Sequence, residues 1–359
     1  MNRGYYFSAG PAQLPESILQ EVQAELLNWH DQGCSILEIG HRTTVFENLM
    51  QEMEQDLRDL LKIPENYHVL FLGGAARTQF AMVPMNILEK NQSAAHVISG
   101  TWSELAFTEA ARLTSAYCLA NSVDTGYSNV PLIDQEKLQP NTAYVQYTPN
   151  ETMHGVRFPE TPVVGDLPLV ADMTSCLLSE PVDISKYGLI FAGAQKNIAA
   201  AGLTVVIVRA DWMHRKPEML LPIMSDYRTH VKYKSLYATP PTFNCYLAAK
   251  MFAWIKQQGG VETLHAQNIK KANMLYDYID ASSFYHCRVA KNARSRMNIC
   301  FALTDTNLTD EFLLRATQAG LYALNGHRQV GGLRASIYNA MPPAGVVALI
   351  DFMQVFATR

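Results

Sequence analysis

Six short apolar runs constrain this chain more than anything else in it. They read "YHVLFLGG", "AAHVISG", "TAYVQYT", "PLVADMT", "GLIFAGA" and "LTVVIVR", and all fall between residues 67 and 209. Each is apolar at consecutive positions rather than at alternate ones. A strand of that kind needs cover on both faces, which in practice means helices above and below a sheet. Helical patterns fall before and between the runs. After Pro15, the residues Ile18, Leu19, Val22, Leu26 and Leu27 recur at helical spacing. "TQFAMVPMNIL" predicts a helix with an interruption near Pro84, and "SELAFTEAARL" predicts another. Strands alternating with helices indicate an α/β fold, with a mainly parallel sheet flanked by helices.

The texture changes after "ATPPT". Two long helices are expected over Phe243–Lys256 and Val261–Ile279. A strand in "RSRMNICFAL", a helix near Thr309–Ala319, a strand in "GGLRASIYN" and a last helix near Pro343–Phe356 follow. This part reads as a smaller α+β domain. The expected division is a large α/β domain over 16–250, with 1–15 and 251–359 forming the smaller one. A chain of 359 residues is long enough for two cores.

The bulk numbers exclude several classes. A net charge of -4 gives no reason to expect nucleic acid or a membrane surface as partner. No apolar run reaches the ~18 residues of a membrane span. The opening "MNRGYYFSAGPAQLPES" lacks the apolar segment of a secretory signal. The six cysteines are scattered without CxxC spacing and the ten histidines show no HExxH. A disulfide framework or zinc site is therefore not expected, and a cytoplasmic setting is.

Open α/β sheets bind ligands at the carboxyl ends of their strands. Gly73 to Arg77, Thr101-Trp102, Pro149 to Thr152, Asp172 and Gln195-Lys196 each lie at or just past such an end. Lys196 sits in "FAGAQKNIAAAGL", among small apolar residues. It is either a lysine snorkelling to solvent or a Schiff-base lysine whose ammonium is desolvated toward the neutral, nucleophilic amine. Asp172 is either a turn or capping residue, or an anion that keeps a ring nitrogen protonated. A lysine imine together with a carboxylate at a pyridinium nitrogen is the signature of pyridoxal-phosphate sites. Trp102 is either packing or a flat surface for such a ring. "GGAARTQF" joins a strand to a helix start, where backbone N–H groups can hold a phosphate. Arg294, Arg296, Arg328 and Arg334 cluster late in the chain beside His327, and Arg42 follows His41. Arg334, inside an apolar strand pattern, wants an anion.

At these residues the sequence resembles the phosphoserine aminotransferase family, class V enzymes of fold type I. The resembling stretches are "FSAGPAQLP", "EIGHRTTVF", "TPNETMHGV", "VADMTS", "FAGAQKNI", "TPPTF", "RSRMN" and "GHRQVGGLRASIYNAM", in order along nearly the whole chain. The resemblance implies pyridoxal 5'-phosphate joined to Lys196, with Asp172 at its ring nitrogen, Trp102 stacked on its ring and Thr152 at its phenolic oxygen. It implies that the Ala76 and Arg77 amides, with Gln195, hold the phosphate, and that Thr239, beside Ala238, reaches it from the second subunit of a homodimer. It places Arg334 on the substrate α-carboxylate, His41, Arg42, His327 and Arg328 on the distal anion, and Ala9 near the substrate. The implied reaction exchanges an amino group between glutamate and 3-phosphohydroxypyruvate. Bacterial members often also process a four-carbon homologue, 4-phosphohydroxythreonine, on the way to pyridoxal phosphate. Four alanines depart from the family pattern. Ala75 and Ala76 stand for glycines, at a cost of about 1–2 kcal/mol should either need positive φ. Ala9 stands for a serine and Ala238 for an asparagine. Two rivals follow: another class V enzyme, for which a desulfurase would need a nucleophilic cysteine such as Cys300, and a cofactor-binding protein without chemistry.

Overall fold

A computed structural model describes residues 3–358. Its centre is a seven-stranded sheet in the order Tyr67–Gly73, Leu203–Arg209, Tyr187–Gly193, Leu169–Asp172, Thr142–Tyr147, Ser93–Ile98 and Ala116–Asn121. Leu203–Arg209 runs antiparallel to both its neighbours. The other pairs are parallel. Six strands therefore deliver their carboxyl ends to one edge.

The six apolar runs are all strands of this sheet, for the reason their composition suggests. Val69, Phe71, Val205, Ile207, Ile190 and Ala192 pack into the core on one face. Leu70, Leu72, Val206, Val208, Leu189 and Phe191 pack into a second core on the other. Neighbours in sequence enter opposite cores, so every position has to be apolar. The first core is closed by helices Thr44–Leu61 and Thr242–Gln257, the second by Gln79–Ile87 and Thr101–Leu113.

Among the elements not apparent from the sequence, two belong to the central layers. The helix Thr44–Leu61 buries Phe46, Met50, Met53, Leu57 and Leu60, spaced at three and four residues along one stripe. The edge strand Ala116–Asn121 buries only Leu119, so it lacks the doubly apolar texture of the others. Two expectations are corrected. The helix containing Pro84 runs unbroken to Ile87, because in so short a helix the missing proline N–H removes a single bond. The first helix stops at Glu25, and Leu27 is exposed instead of sharing the face of Ile18 and Val22.

A further core lies beside the carboxyl edge. Asn298–Leu303 pairs antiparallel with Tyr285–His286 and Leu333–Ser336. Helices Gly260–Ala281, Thr309–Gln318 and Pro343–Ala357 pack on this small sheet together with Phe7. The helix Gly260–Ala281 belongs to both the large and the small core: Val261 and Leu264 enter the large one, Leu275, Tyr276 and Ile279 the small one. Among the described residues no helix is long and apolar enough to cross a membrane.

Candidate active site

Lys196 lies in the turn after the strand Tyr187–Gly193 and is only 7 % exposed. The small residues around it are what allow this burial. Gly10, at φ +143, approaches so closely that a Cβ there would stand 3.3 Å from the Gln195 side chain and 3.5 Å from that of Lys196. The Lys196 amine donates to Thr152 Oγ1 at 2.5 Å. Burial pushes its pKa down to about 8, with Asp172 pulling the other way and Arg334 adding to the depression. The lysine is thus not snorkelling. About a tenth of it is then neutral, and nucleophilic, at pH 7, far more than for an ordinary lysine.

Asp172 ends its strand and is 5 % exposed. Burial raises its pKa, opposed by hydrogen bonds from Thr174 and by the Lys196 charge. Thr174 ties two strand ends together: its N–H donates to Asp172 Oδ1 at 3.0 Å, and its Oγ1 accepts from Gly193 N at 3.1 Å. Trp102 stands in the first turn of Thr101–Leu113, its indole Nε1 buried without a hydrogen-bond partner. The Arg77 guanidinium lies 5.3 Å over its ring.

These groups line one cavity of about 490 Å³, together with Ala9, Gly10, Ala75, Ala76, Gln195, His327 and Arg334. A volume of this order suits a small cofactor and substrate. The Arg334 side chain is half-buried, with Nη1 3.5 Å from the Thr152 carbonyl and Nε buried and unpartnered. Burial lowers the His327 pKa, and the Arg334 and Arg328 charges lower it further. The turn Ala76–Thr78 leads into helix Gln79–Ile87, and the first N–H groups of such a turn have no partner inside it. Ala75 is extended, at φ -86, and Ala76 opens the 3-10 turn; the positive φ falls on Gly74. Neither alanine carries left-handed strain. Ala9 contributes its carbonyl, which accepts from Tyr338 OH at 2.9 Å.

A buried polar network joins the large and small cores behind the cavity. Asn150 Nδ2 donates to Ser175 Oγ and Asn298 Oδ1, and Asn298 Nδ2 donates to Ser336 Oγ and Tyr338 OH. It sets the Arg334 strand against the Asp172 end of the sheet. Sequence reasoning does not single out Thr148, Thr174 and Ser175, and reaches Asn150 only as part of the stretch Pro149 to Thr152, although each lies in one of the resembling stretches. Their signal is a hydroxyl or amide immediately after a strand.

Several candidates lie elsewhere. Arg294 pairs with Asp280 at 2.7 Å and Arg296 with Glu180 at 3.3 Å, so both are held in ion pairs outside the cavity. Arg328 is exposed and does not line it. Arg42 lines a separate cavity with Lys232, Tyr233, Lys234, Ser235 and Leu236. His41 precedes it, with Nε2 buried and unpartnered. Ala238 and Thr239 are exposed and follow the segment that lines Arg42's cavity. Cys300 is buried, its Sγ toward the Met153 carbonyl, and burial pushes its thiol up to about 12. It is no nucleophile at neutral pH.

The profile of the class-V aminotransferases matches residues 4–349. The chain is 59 % identical over 356 residues to the phosphoserine aminotransferase of Legionella pneumophila (strain Corby), covering 99 % of this chain and 98 % of that one. Its structure superposes with a TM-score of 0.95 on the phosphoserine aminotransferase from Bacillus circulans subsp. alkalophilus, at 44 % identity and 99 % coverage of both chains. It also matches a pyridoxal-phosphate-bound phosphoserine aminotransferase from Trichomonas vaginalis, with a TM-score of 0.94, 38 % identity and coverage of 98 % and 100 %. With a buried lysine, a buried aspartate and an unpartnered indole gathered at the carboxyl edge of the sheet, the chain belongs to the class-V aminotransferase family, among its phosphoserine aminotransferases.

Proposed function

We propose that the cavity holds pyridoxal 5'-phosphate and that the protein moves an amino group between glutamate and 3-phosphohydroxypyruvate, giving phosphoserine and 2-oxoglutarate in serine biosynthesis. One observation carries this reading: buried Lys196, buried Asp172, Trp102 and the unpartnered Arg334 Nε share one cavity. When bound, the cofactor supplies an electron sink for the carbon that carries the amine. The residues supply the rest. Lys196, already partly neutral, takes the proton from the substrate α-carbon and returns it. Asp172 keeps the ring nitrogen protonated, Trp102 packs on the ring, and Thr152 holds its phenolic oxygen. The phosphate is held by the Ala76 and Arg77 amides and by Gln195. Arg334 grips the α-carboxylate as a fork, with the Ala9 segment bordering the substrate. The same pocket accepts the four-carbon homologue 4-phosphohydroxythreonine.

His41, Arg42, Ala238 and Thr239 serve the same chemistry in a second copy of the chain. Arg42 and the 232–236 segment line one groove, well apart from Lys196. Leu37, Leu220, Ile223, Met224 and Tyr233, in or shortly before these two stretches of chain, are exposed and apolar. A homodimer through this face covers them and brings both stretches to the partner's cavity. There Arg42 and His41 join His327 and Arg328 on the distal anion, and Thr239 reaches the cofactor phosphate. The reading also divides the chain into a cofactor domain over 16–250 and a smaller one made of 1–15 and 251–359, in the cytoplasm.

Titrating the cofactor-loaded protein with glutamate tests the reading. A shift of the visible absorption is expected, with a weaker response to alanine. Lys196→Ala should abolish both the shift and the borohydride-sensitive band while the protein stays folded. An unchanged spectrum on adding glutamate to the parent would sink the proposed reaction.

A further inference from the structure

Glu151 is the most deeply buried carboxylate beside the cavity, and the chemistry above does not use it. It is 0 % exposed, whereas its chain neighbour Thr152 holds the Lys196 amine. Glu151 Oε2 accepts from the Trp102 N–H at 3.1 Å. Its Oε1 accepts from the Ser103 N–H at 2.8 Å and from the Ser103 hydroxyl at 2.7 Å. Gly100 opens this turn, and a Cβ there would lie 2.5 Å from Glu151 Cδ and 2.8 Å from Oε2. The site is thus shaped around the carboxylate. Gly100 sits in extended backbone, so the glycine is required by space and not by its dihedral angles.

We propose that Glu151 is a positioning residue: its carboxylate locks Trp102 against the cofactor ring and, through the adjoining Thr152, sets the ring's place relative to Lys196. This rests on the reading of the cavity as a cofactor site. Both carboxylate oxygens are engaged by donors, and all three donors come from the first turn of the helix that carries the indole. A buried anion at the positive end of a helix is stabilised there, which offsets part of its desolvation. Burial still raises its pKa to about 7, against the pull of the Ser103 and Trp102 donors and with the Asp172 charge adding to the rise. The same carboxylate that fixes the indole therefore also bears on the electrostatics of Lys196, whose pKa it raises.

The geometry says what a neutral isostere does. A glutamine has one accepting oxygen and one donating NH2. The oxygen stays at Ser103, where two donors converge, and the NH2 is left facing the Trp102 N–H. Glu151→Gln therefore frees the indole-bearing residue selectively. The expected result is about a tenfold to hundredfold weaker cofactor affinity, from one buried donor left unpaired. Affinity is read by quenching of tryptophan fluorescence as pyridoxal phosphate is added to the cofactor-free protein. The visible circular dichroism of the bound cofactor, which reports ring orientation, should fall at full saturation. A residue that only stabilises the helix would lower the melting temperature without changing either signal in the folded protein.

Gly100→Ala provides a second route to the same displacement and keeps the charge. It should reproduce the loss of affinity and dichroism. Glu151→Ala removes Cγ, Cδ and Oε2, the atoms that the new methyl would meet, so the double variant should be no worse than Glu151→Ala alone. Failure of the parent to bind pyridoxal phosphate would overturn the cofactor site itself. A parent that binds, with Glu151→Gln and Gly100→Ala both within twofold in affinity and unchanged in dichroism, would overturn the positioning role alone.

Discussion

The two walls of the reaction space are built differently. The wall that carries Lys196 is gathered within one chain, apart from Thr239, which the proposed dimer adds at the cofactor phosphate. Lys196, Asp172, Thr152 and Trp102 come from neighbouring strand ends, are closed in by the packed cores, and already bear on one another through a hydrogen bond and through charge. The wall that faces the distal anion is not complete. His327 lies in the cavity, Arg328 is exposed, and Arg42 looks into another groove altogether. The contrast teaches that reaction type and substrate choice are separable in this fold. Desolvation, which tunes Lys196, needs only a well-packed core. Recognition of a doubly charged anion needs several exposed cations, which repel one another until an anion or a partner subunit gathers them.

This contrast can be broken at either wall. Asp172→Asn should cut amino exchange by about 10²–10³-fold, the scale of losing one preorganised charge, with a single-turnover assay as the measure. It should do so equally for every substrate. A substrate-dependent loss would mean that the first wall also reads the substrate. Next is the stability of the cofactor-free protein. The folded pKa of Lys196, about 8, lies below its ordinary 10.5, so burial disfavours its charged form. Lys196→Met should therefore stabilise the cofactor-free protein below pH 8, by about 3 kcal/mol at most. That gap should close as pH rises from 8 to 10.5, where the parent loses the burial penalty. Denaturant melts at pH 7 and pH 10 measure it, and a gap that widens with pH would contradict the burial of a charge.

Arg334→Ala should lower kcat/KM roughly tenfold to hundredfold for all amino donors and acceptors, which share the α-carboxylate. Arg42→Ala should act more narrowly. A loss of about tenfold is expected with glutamate and phosphorylated substrates, and none in cofactor binding. Mixing the inactive Lys196→Ala chain with Arg42→Ala chains sharpens the point. If sites are shared, subunit exchange creates one intact site per mixed dimer, so roughly a quarter of the sites should recover parental kinetics. No recovery after exchange would place Arg42 outside the partner's site.

Much of the first wall is legible in the amino-acid sequence alone. Lys196 stands out because it is an ammonium set among alanines and glycines at a strand end, where it either snorkels or is used. Asp172 and Trp102 stand out because they follow or end apolar strands. Glu151 does not, although it adjoins Thr152. Its meaning depends on Gly100 and Ser103, about fifty residues away, and no local pattern links them. The helix Thr44–Leu61 escapes notice for a simpler reason: its many charges mask a regular stripe of Phe46, Met50, Met53 and Leu57. The arginines are the least legible. Arg334 is set apart by its apolar strand pattern, but nothing local shows that Asp280 and Glu180 take Arg294 and Arg296 and leave Arg334 Nε unpaired.

Local composition pointed to six of the seven strands of the central sheet and to helices over both its faces, because a strand that is apolar at consecutive positions needs cover on both sides. For Lys196 it raised the choice between snorkelling and burial without deciding it, and the packed structure decided for burial. Only the tertiary structure decided which charges are free and which are paired. It alone decided that one antiparallel strand sits inside a parallel sheet, and that Arg42 and Arg334 face different spaces. Pairing and direction depend on distances between residues far apart in the chain, and those distances exist only once the cores have packed.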